Sequence, residues 1–226
     1  MRNEPSLDAA HQPTQSVFKG LGRPVLVSAV FFMAVTGLAY PLATTGVANL
    51  IFPDQAKGSL IVRDGKTVGS RQIGQHFTSA EYFHPRPSMT SGPDPRDPSK
   101  TVDQPYNAGA SAASNQAVIS KKLLTAVAER VAAYRQENGL GTGAPVPVDA
   151  VTASASGLDP HISIANARIQ AARVAQARGV PVDTVLKLVG QNTSSPQFGL
   201  LGDPRVNVLE LNLALDAAAP VRPTAQ

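Results

Sequence analysis

From Val25 to Pro53 the chain carries no charged residue, and Val25 to Ala39 (VLVSAVFFMAVTGLA) is almost continuously apolar. About 20 such residues cross the roughly 30 Å of hydrocarbon in a bilayer, so this run predicts a membrane-spanning helix. Lys19 and Arg23 lie just before it, and Arg23-Pro24 makes a natural helix start. Positive charge on that flank keeps the N-terminus cytoplasmic and places the rest of the chain outside. The rival reading is a leader cut after Gly37-Leu38-Ala39. Against it, the uncharged stretch continues well past Ala39. Pro41 is expected to kink the span, with neighbouring helices or Thr side chains satisfying the carbonyl it frees. The small residues Ala34, Gly37 and Ala43 suit packing on neighbouring helices.

After the span the periodicity changes. Ser59 to Ser70 (SLIVRDGKTVGS) places short Leu, Ile and Val runs either side of Asp64-Gly65. That pair favours a type I′ turn and predicts a β-hairpin. Ile73 to Ser88 holds Phe77, Tyr82 and Phe83 and ends in Arg86-Pro87-Ser88. Met89 to Ser114 is rich in Pro, Gly, Ser and Asp and predicts a long excursion without regular structure. A helix is expected after Ser114-Asn115 as caps, running through Leu124, Val127, Val131 and Tyr134 to a stop at Gly139. Gly139 to Val148 reads as a linker. Ser163 is expected to cap a second helix, Ile164 to Arg178, closed by Gly179, and a third should cover Asp183 to Val189. Leu209 to Leu215 alternates at period two and reads as a strand with one buried leucine face.

Local hairpins with runs of helix imply an α+β domain rather than βαβ repeats. The expected organisation is a cytoplasmic tail over 1–23, a transmembrane anchor helix over 24–52, one extracytoplasmic α+β domain over 53–217 and a C-terminal tail over 218–226.

Composition changes this picture little. The chain has no cysteine, so neither disulfides nor thiolate metal sites are available. A net charge of +4 would suit nucleic acid, yet the basic residues are dispersed among acidic ones and only Lys121-Lys122 are adjacent. A solvated mixed surface without nucleic-acid binding is the reading.

Candidate chemistry concentrates in Val151 to Ser163 (VTASASGLDPHIS). Ser154 or Ser156 with His161 could form an anchored extracytoplasmic serine hydrolase. The glycines of a G-x-S-x-G elbow are missing, however, and Asp159-Pro160 before Ser163 reads more simply as a turn into a cap. The small residues Ala153 to Gly157 would admit another backbone closely. Gly65-Lys66-Thr67 matches the end of a phosphate loop, but Leu60 stands where its first glycine belongs. The histidines, at 11, 76, 84 and 161, are scattered and show no metal-ligand spacing. No catalytic or metal-ligating residue is assigned.

Taken together, the chain resembles the C subunit of the Kdp-type potassium-transporting ATPase of bacteria, from about residue 18 to 216. The residues that carry the resemblance begin with Tyr40-Pro41-Leu42 and Thr45-Gly46 in the span, then Phe52-Pro53-Asp54-Gln55-Ala56 and Gly58-Ser59-Leu60-Ile61. They continue with Gly69-Ser70, Ile73-Gly74-Gln75, Tyr82-Phe83, Arg86-Pro87-Ser88 and Ser114-Asn115. Then come the whole of Val151 to Ser163 (with Thr152, Ser154, Ser156, Gly157, Asp159, Pro160 and His161), Arg173-Val174-Ala175 and Ala177-Arg178-Gly179. Val206-Asn207-Val208-Leu209 and Leu211-Asn212-Leu213-Ala214-Leu215-Asp216 close it. Two features depart from the family pattern: Ala112-Ala113 replace glycines before Ser114-Asn115, and residues 1–16 form an unmatched polar extension.

The resemblance implies a non-catalytic accessory subunit of an ATP-driven potassium uptake pump in the inner membrane. Its implied partners are a channel-like potassium-translocating subunit, a P-type ATPase catalytic subunit, a small single-span subunit and membrane lipid. ATP and K+ are then used by the complex, with no cofactor bound by this chain. The family is also credited with aiding ATP binding, linked to the segment that here is Leu188 to Gly202. That segment has no glycine-rich cradle and would lie outside, so coupling through the span is expected instead. Gly58, Ser59, Gly69, Ser70, Gln75, Tyr82, Phe83, Arg86, Pro87, Ser88, Ser114, Asn115, Arg173, Asn207 and Asn212, with the named residues of Val151 to Ser163, are the expected docking or fold-defining positions.

Overall fold

The computed structural model describes residues 20–220. Lys19, His11 and the rest of the expected N-terminal tail up to residue 19 lie outside the described residues, as do residues 221–226. The chain divides into two compact units, Met1–Lys57 and Gly58–Gln226.

The first unit is one long helix, Gly22–Ile51, long and apolar enough to cross a membrane. It consists of α1 (Gly22–Ala34), a single π-helical turn (Val35–Ala39) and α2 (Tyr40–Ile51), followed by the one-turn α3 (Pro53–Ala56). The π turn stands immediately before Pro41, where the backbone N–H of Tyr40 donates to the Val35 carbonyl. A proline lacks the N–H that would bond four residues back, and the widened turn takes up that mismatch. Of the two expected routes, neighbouring helices or threonine, the threonine route is not taken. Thr44 Oγ1 donates to the Tyr40 and Pro41 carbonyls and Thr36 Oγ1 to Phe32, so neither caps the carbonyl opposite Pro41.

The second unit mixes helices and short strands, an α+β arrangement. The predicted hairpin forms: β1 (Leu60–Arg63) pairs antiparallel with β2 (Lys66–Ser70). Asp64 and Gly65 both have positive φ, at 51° and 74°, as a type I′ turn requires. The excursion after Met89 carries regular structure that composition hid, a short hairpin of β3 (Ser91–Pro93) with β4 (Thr101–Asp103). The next helix, α4, spans Lys121–Glu137. Its start differs from the expected Ser114-Asn115 cap. Asn115 is left-handed at φ 49° and Ser120 holds the N-cap position, because β-branched Val118 and Ile119 enter a helix poorly. At the far end Gly139 adopts φ 64°, with Leu140 N–H donating to Arg135 and Gly139 N–H to Gln136, a Schellman stop.

After the short α5 (Val148–Val151), β5 (His161–Ser163) leads directly into α6 (Ile164–Arg178). Ser163 accepts from Asn166 N–H as its cap, and left-handed Gly179 closes it. Next come α7 (Val182–Gln191) and β6 (Thr193–Ser194), then β7 (Arg205–Asn207), which lies between β5 and β6 in a three-stranded antiparallel sheet. The last element corrects the sequence reading: Leu209 to Leu215 is part of a helix, α8 (Val208–Ala218). Val208, Leu211, Asn212 and Leu215 are buried at helical spacing. Asn207 caps the helix by accepting from Glu210 N–H, and no β-branched residue follows Val208 within the helix, so Leu, Ala and Glu propensity decides. The core gathers Phe83, Ile162, Ala167, Ala171, Val174, Val185, Val189, Val206, Leu211 and Leu215 between α6, α7, α8 and the sheet. Each large member contributes about 1.5–3 kcal/mol by leaving water.

Candidate functional site

The two segments richest in expected site residues are fastened to each other. Arg86 Nη1 donates to Asp159 Oδ2 at 2.8 Å, and its Nη2 reaches the Thr152 and Ala153 carbonyls at 3.4 and 3.5 Å. Ser88 Oγ donates to the Gly157 carbonyl at 2.7 Å. The Pro160 carbonyl accepts from Val208 N–H, and Pro87 joins the two bonded residues Arg86 and Ser88. Gly157 has φ 68°, and a Cβ there would stand 2.7 Å from the Ala112 carbonyl oxygen and Thr90 Cγ2. The close backbone approach read from the small residues is therefore made at Gly157.

Within this loop the hydroxyls are spent on the backbone. Ser154 Oγ accepts from Gly157 N–H at 2.9 Å and Ser156 Oγ from Leu158 N–H at 3.1 Å. His161 Nδ1 faces Asp159 Oδ1 at 3.5 Å; no hydrogen bond joins either serine to His161 among the described residues. Burial pushes the Asp159 carboxyl up. Hydrogen bonds from His161 and Arg86 more than offset this and hold it below its ordinary value.

A second group pins the β1–β2 hairpin. Gly58 carbonyl accepts from Ser70 Oγ, the carbonyl of buried Ser59 accepts from Arg71 N–H, and Gln75 Nε2 donates to Val68. A Cβ on Gly69 would meet Gln75 Nε2 at 2.5 Å. Asn207 Nδ2 donates to the Arg71 carbonyl, which joins this group to the cap of α8.

A third group surrounds Tyr82-Phe83. Asn212, 1% exposed, accepts from Phe83 N–H at 2.9 Å and donates to Phe83 carbonyl at 3.0 Å. Arg173 Nη1 donates to the Ala80 and Tyr82 carbonyls, and burial pulls its pKa down. Ser114 and Asn115 stand apart: Ser114 carbonyl accepts from Gln116 Nε2, and Asn115 is exposed.

Sequence reasoning missed several participants. Arg178, quoted for the family resemblance but not among the expected docking or fold-defining positions, has a fully buried guanidinium that donates to Glu81 and Ala219 carbonyls at 2.7 Å and to Asp216 at 2.9 Å. It also stacks 4.9 Å from the Tyr82 ring centre. Asp149 accepts from Ser163 N–H, Ser163 Oγ and Asn166 Nδ2. No periodicity marks such residues; only the fold brings them to their partners. Also unforeseen is the tip around Phe198, Leu200 and Leu201, 93%, 87% and 60% exposed, on a turn where Phe198 and Gly199 have positive φ. The apolar residues between Pro196 and Gly202 are its one sequence signal.

A cavity of about 530 Å³ opens beside these groups, lined by His76, Phe77, His84, Arg86, Tyr106, Arg130, Tyr134, Glu137, Asn166 and Gln170 among others. Burial pushes the Tyr106 and Tyr134 phenols well up, so they stay protonated donors. The hydrogen bond with His84 holds Glu137 below its ordinary value against its own burial, helped by the charges of His84 and Arg173.

Comparison with known proteins agrees along nearly the whole chain. The family described as "KdpC: K+-transporting ATPase, c chain" matches residues 22–217. A potassium-transporting ATPase KdpC subunit of Rhodopseudomonas palustris (strain ATCC BAA-98 / CGA009) is 56% identical over 198 residues, 88% of this chain and 97% of the relative. That of Bradyrhizobium diazoefficiens is 54% identical over 197 residues, 87% of this chain and 96% of the relative. That of Mycobacterium tuberculosis (strain ATCC 25177 / H37Ra) is 51% identical over 193 residues, 85% and 96%. By the reach of that match and these identities, the chain belongs to the KdpC family, the c chain of the K+-transporting ATPase.

Proposed function

We propose that the chain is a non-catalytic accessory subunit of an ATP-driven potassium pump, anchored in the inner membrane by Gly22–Ile51. Its N-terminus is cytoplasmic and the unit from Gly58 onward extracytoplasmic. That unit docks on the potassium-translocating subunit and supports assembly and transport, while a separate P-type subunit hydrolyses ATP. ATP and K+ belong to the complex, and no cofactor is held by this chain. Beyond family membership, the observation that carries this reading is the bonding of the 151–163 loop. Ser154, Ser156 and Asp159 each hold backbone N–H groups or a guanidinium, which supports a fold-defining loop and leaves neither of these two serines activated by a base.

The test is affinity purification of the tagged chain from detergent-solubilised membranes of potassium-starved cells, with mass spectrometry and a potassium-stimulated ATPase assay. A P-type ATPase subunit and a channel-like subunit should be recovered, and activity should fall when this chain is omitted. Recovery of the chain alone, with Ser154 or Ser156 labelled by a fluorophosphonate, would replace this reading with the anchored hydrolase.

A further inference from the structure

The cavity of about 530 Å³ falls in the size range of small-ligand sites, about 300–1,000 Å³. Its floor is polar but already satisfied. Tyr134 hydroxyl donates to Asn166 Oδ1 at 2.8 Å, and Gln170 is bonded to both His84 N–H and His84 carbonyl. Tyr106 hydroxyl donates to the Arg86 carbonyl at 2.9 Å. On the wall, Glu137 is paired with His84 at 2.6 Å and with Arg173 at 3.6 Å.

What remains uncompensated is positive. Arg86 and Arg130 both line the cavity and hold consecutive carbonyls of one strip of backbone. Arg130 Nη1 donates to Val151 at 3.1 Å, and Arg86 Nη2 reaches Thr152 and Ala153. Only Arg86 has a carboxylate, Asp159. Arg130 has no other partner than the Met89 sulfur at 3.6 Å, and no Asp or Glu stands within ion-pairing distance of it among the described residues. Arg86 Nε is buried without an acceptor, the one such side-chain nitrogen or oxygen among the described residues. A buried donor left unpaired costs about 1–3 kcal/mol. Phe77, Tyr106 and Pro105 add apolar wall to the same cavity.

We propose that this cavity binds a single carboxylate carried on a flat apolar body, with Arg130 supplying the charge and Arg86 a second donor. Planar guanidinium matches carboxylate, and the ring-bearing walls suit a flat body. One surplus charge selects a monoanion; Glu137 on the wall and the Asp159 paired with Arg86 oppose phosphate or a polyphosphate. The carboxylate arrives as a free organic acid.

Benzoate titrated calorimetrically into the full-length chain in detergent tests this. Saturable one-to-one binding is expected, at least about tenfold tighter than inorganic phosphate, and Arg130→Gln should weaken it at least about tenfold. Ala133→Phe adds bulk at a lining position one turn along α4 from Arg130 and should abolish binding, with the parent circular dichroism as the control for folding. Repeating the titration on the assembled complex tests that source. Retained binding supports a free acid as the ligand, and lost binding, with the neighbouring subunits covering the site, overturns it. No saturable heat by about 50 mM, weaker than any specific site needs, overturns the proposal. So does equal affinity for phosphate, whatever the variants do, or unchanged binding in both variants.

Discussion

Replacing Arg178 tests how far one side chain holds the second unit together. Its guanidinium is fully buried and makes three bonds of 2.7, 2.7 and 2.9 Å, to Glu81 carbonyl, Ala219 carbonyl and Asp216. These tie the last turn of α6 to the 79–83 segment and to the end of α8. At about 1.5–3 kcal/mol for a hydrogen bond to a charged group, three would total roughly 4.5–9 kcal/mol. Asp216 is 31% exposed and recovers water when released, so the upper part of that range does not apply. Loss of one partner of a buried pair costs about 3–5 kcal/mol, and Arg178→Ala is expected to cost that much. In a domain of this size the loss lowers Tm by roughly 6–20 °C, measured by far-UV circular dichroism on the full chain in detergent. Arg178→Lys should recover less than half, because one ammonium cannot reproduce a fork aimed at separate acceptors. A variant Arg178→Ala melting within about 2 °C of the parent would refute the reasoning.

Two further outcomes follow from other buried bonds of the second unit. Asn212→Ala strands the Phe83 N–H and carbonyl inside the core and should cost roughly 2–5 kcal/mol, seen as a lower urea midpoint and faster proteolysis near residue 83; an unchanged midpoint contradicts it. Asp159 and Glu137 both titrate below their ordinary values of 3.8 and 4.5 in the folded chain, so the unfolded chain binds more protons between the two. Their stabilisation is present above those ordinary values and is lost as pH falls through the folded ones. Urea unfolding should be level from pH about 7 to 5 and weaken below about 4, with Asp159→Asn flattening the fall; a decline that begins above pH about 6 contradicts the assignment.

Where local chemistry decides the backbone, the sequence was readable. Asp64-Gly65 forced the hairpin turn, and Ser163 and Gly179 bounded α6 because a hydroxyl acceptor and a left-handed residue act within one turn of chain. The closing segment misled because Leu209, Leu211, Leu213 and Leu215 alternate while 208, 211, 212 and 215 also make a helical face. The Asn207 to Glu210 capping pair was the better signal. Ser114-Asn115 had capping residues but no helix to cap, since the apolar repeat that follows starts only near Leu124. The 151–163 loop could be named from its residues but not its partners: Arg86 lies 73 positions from Asp159, and no spacing encodes that meeting. Arg178 and Asn212 were opaque for the same reason.

The π turn at Val35–Ala39 alters how the long apolar helix must be counted. In an ordinary α-helix, side chains four apart share a stripe; across one widened turn they are five apart, and everything beyond is rotated by about 100° relative to an unbroken helix. The halves before and after Pro41 therefore aim their small residues along different compass bearings, and a helical wheel drawn through all 30 residues mixes two faces into one. Deleting a single residue between 35 and 39 would leave composition and length almost untouched. It would also let an ordinary α-helix close over the gap, partners five apart becoming four apart, so α2 would keep its bearing; adding a residue there would instead turn α2 by about 100° and show any neighbour that reads that helix the wrong side.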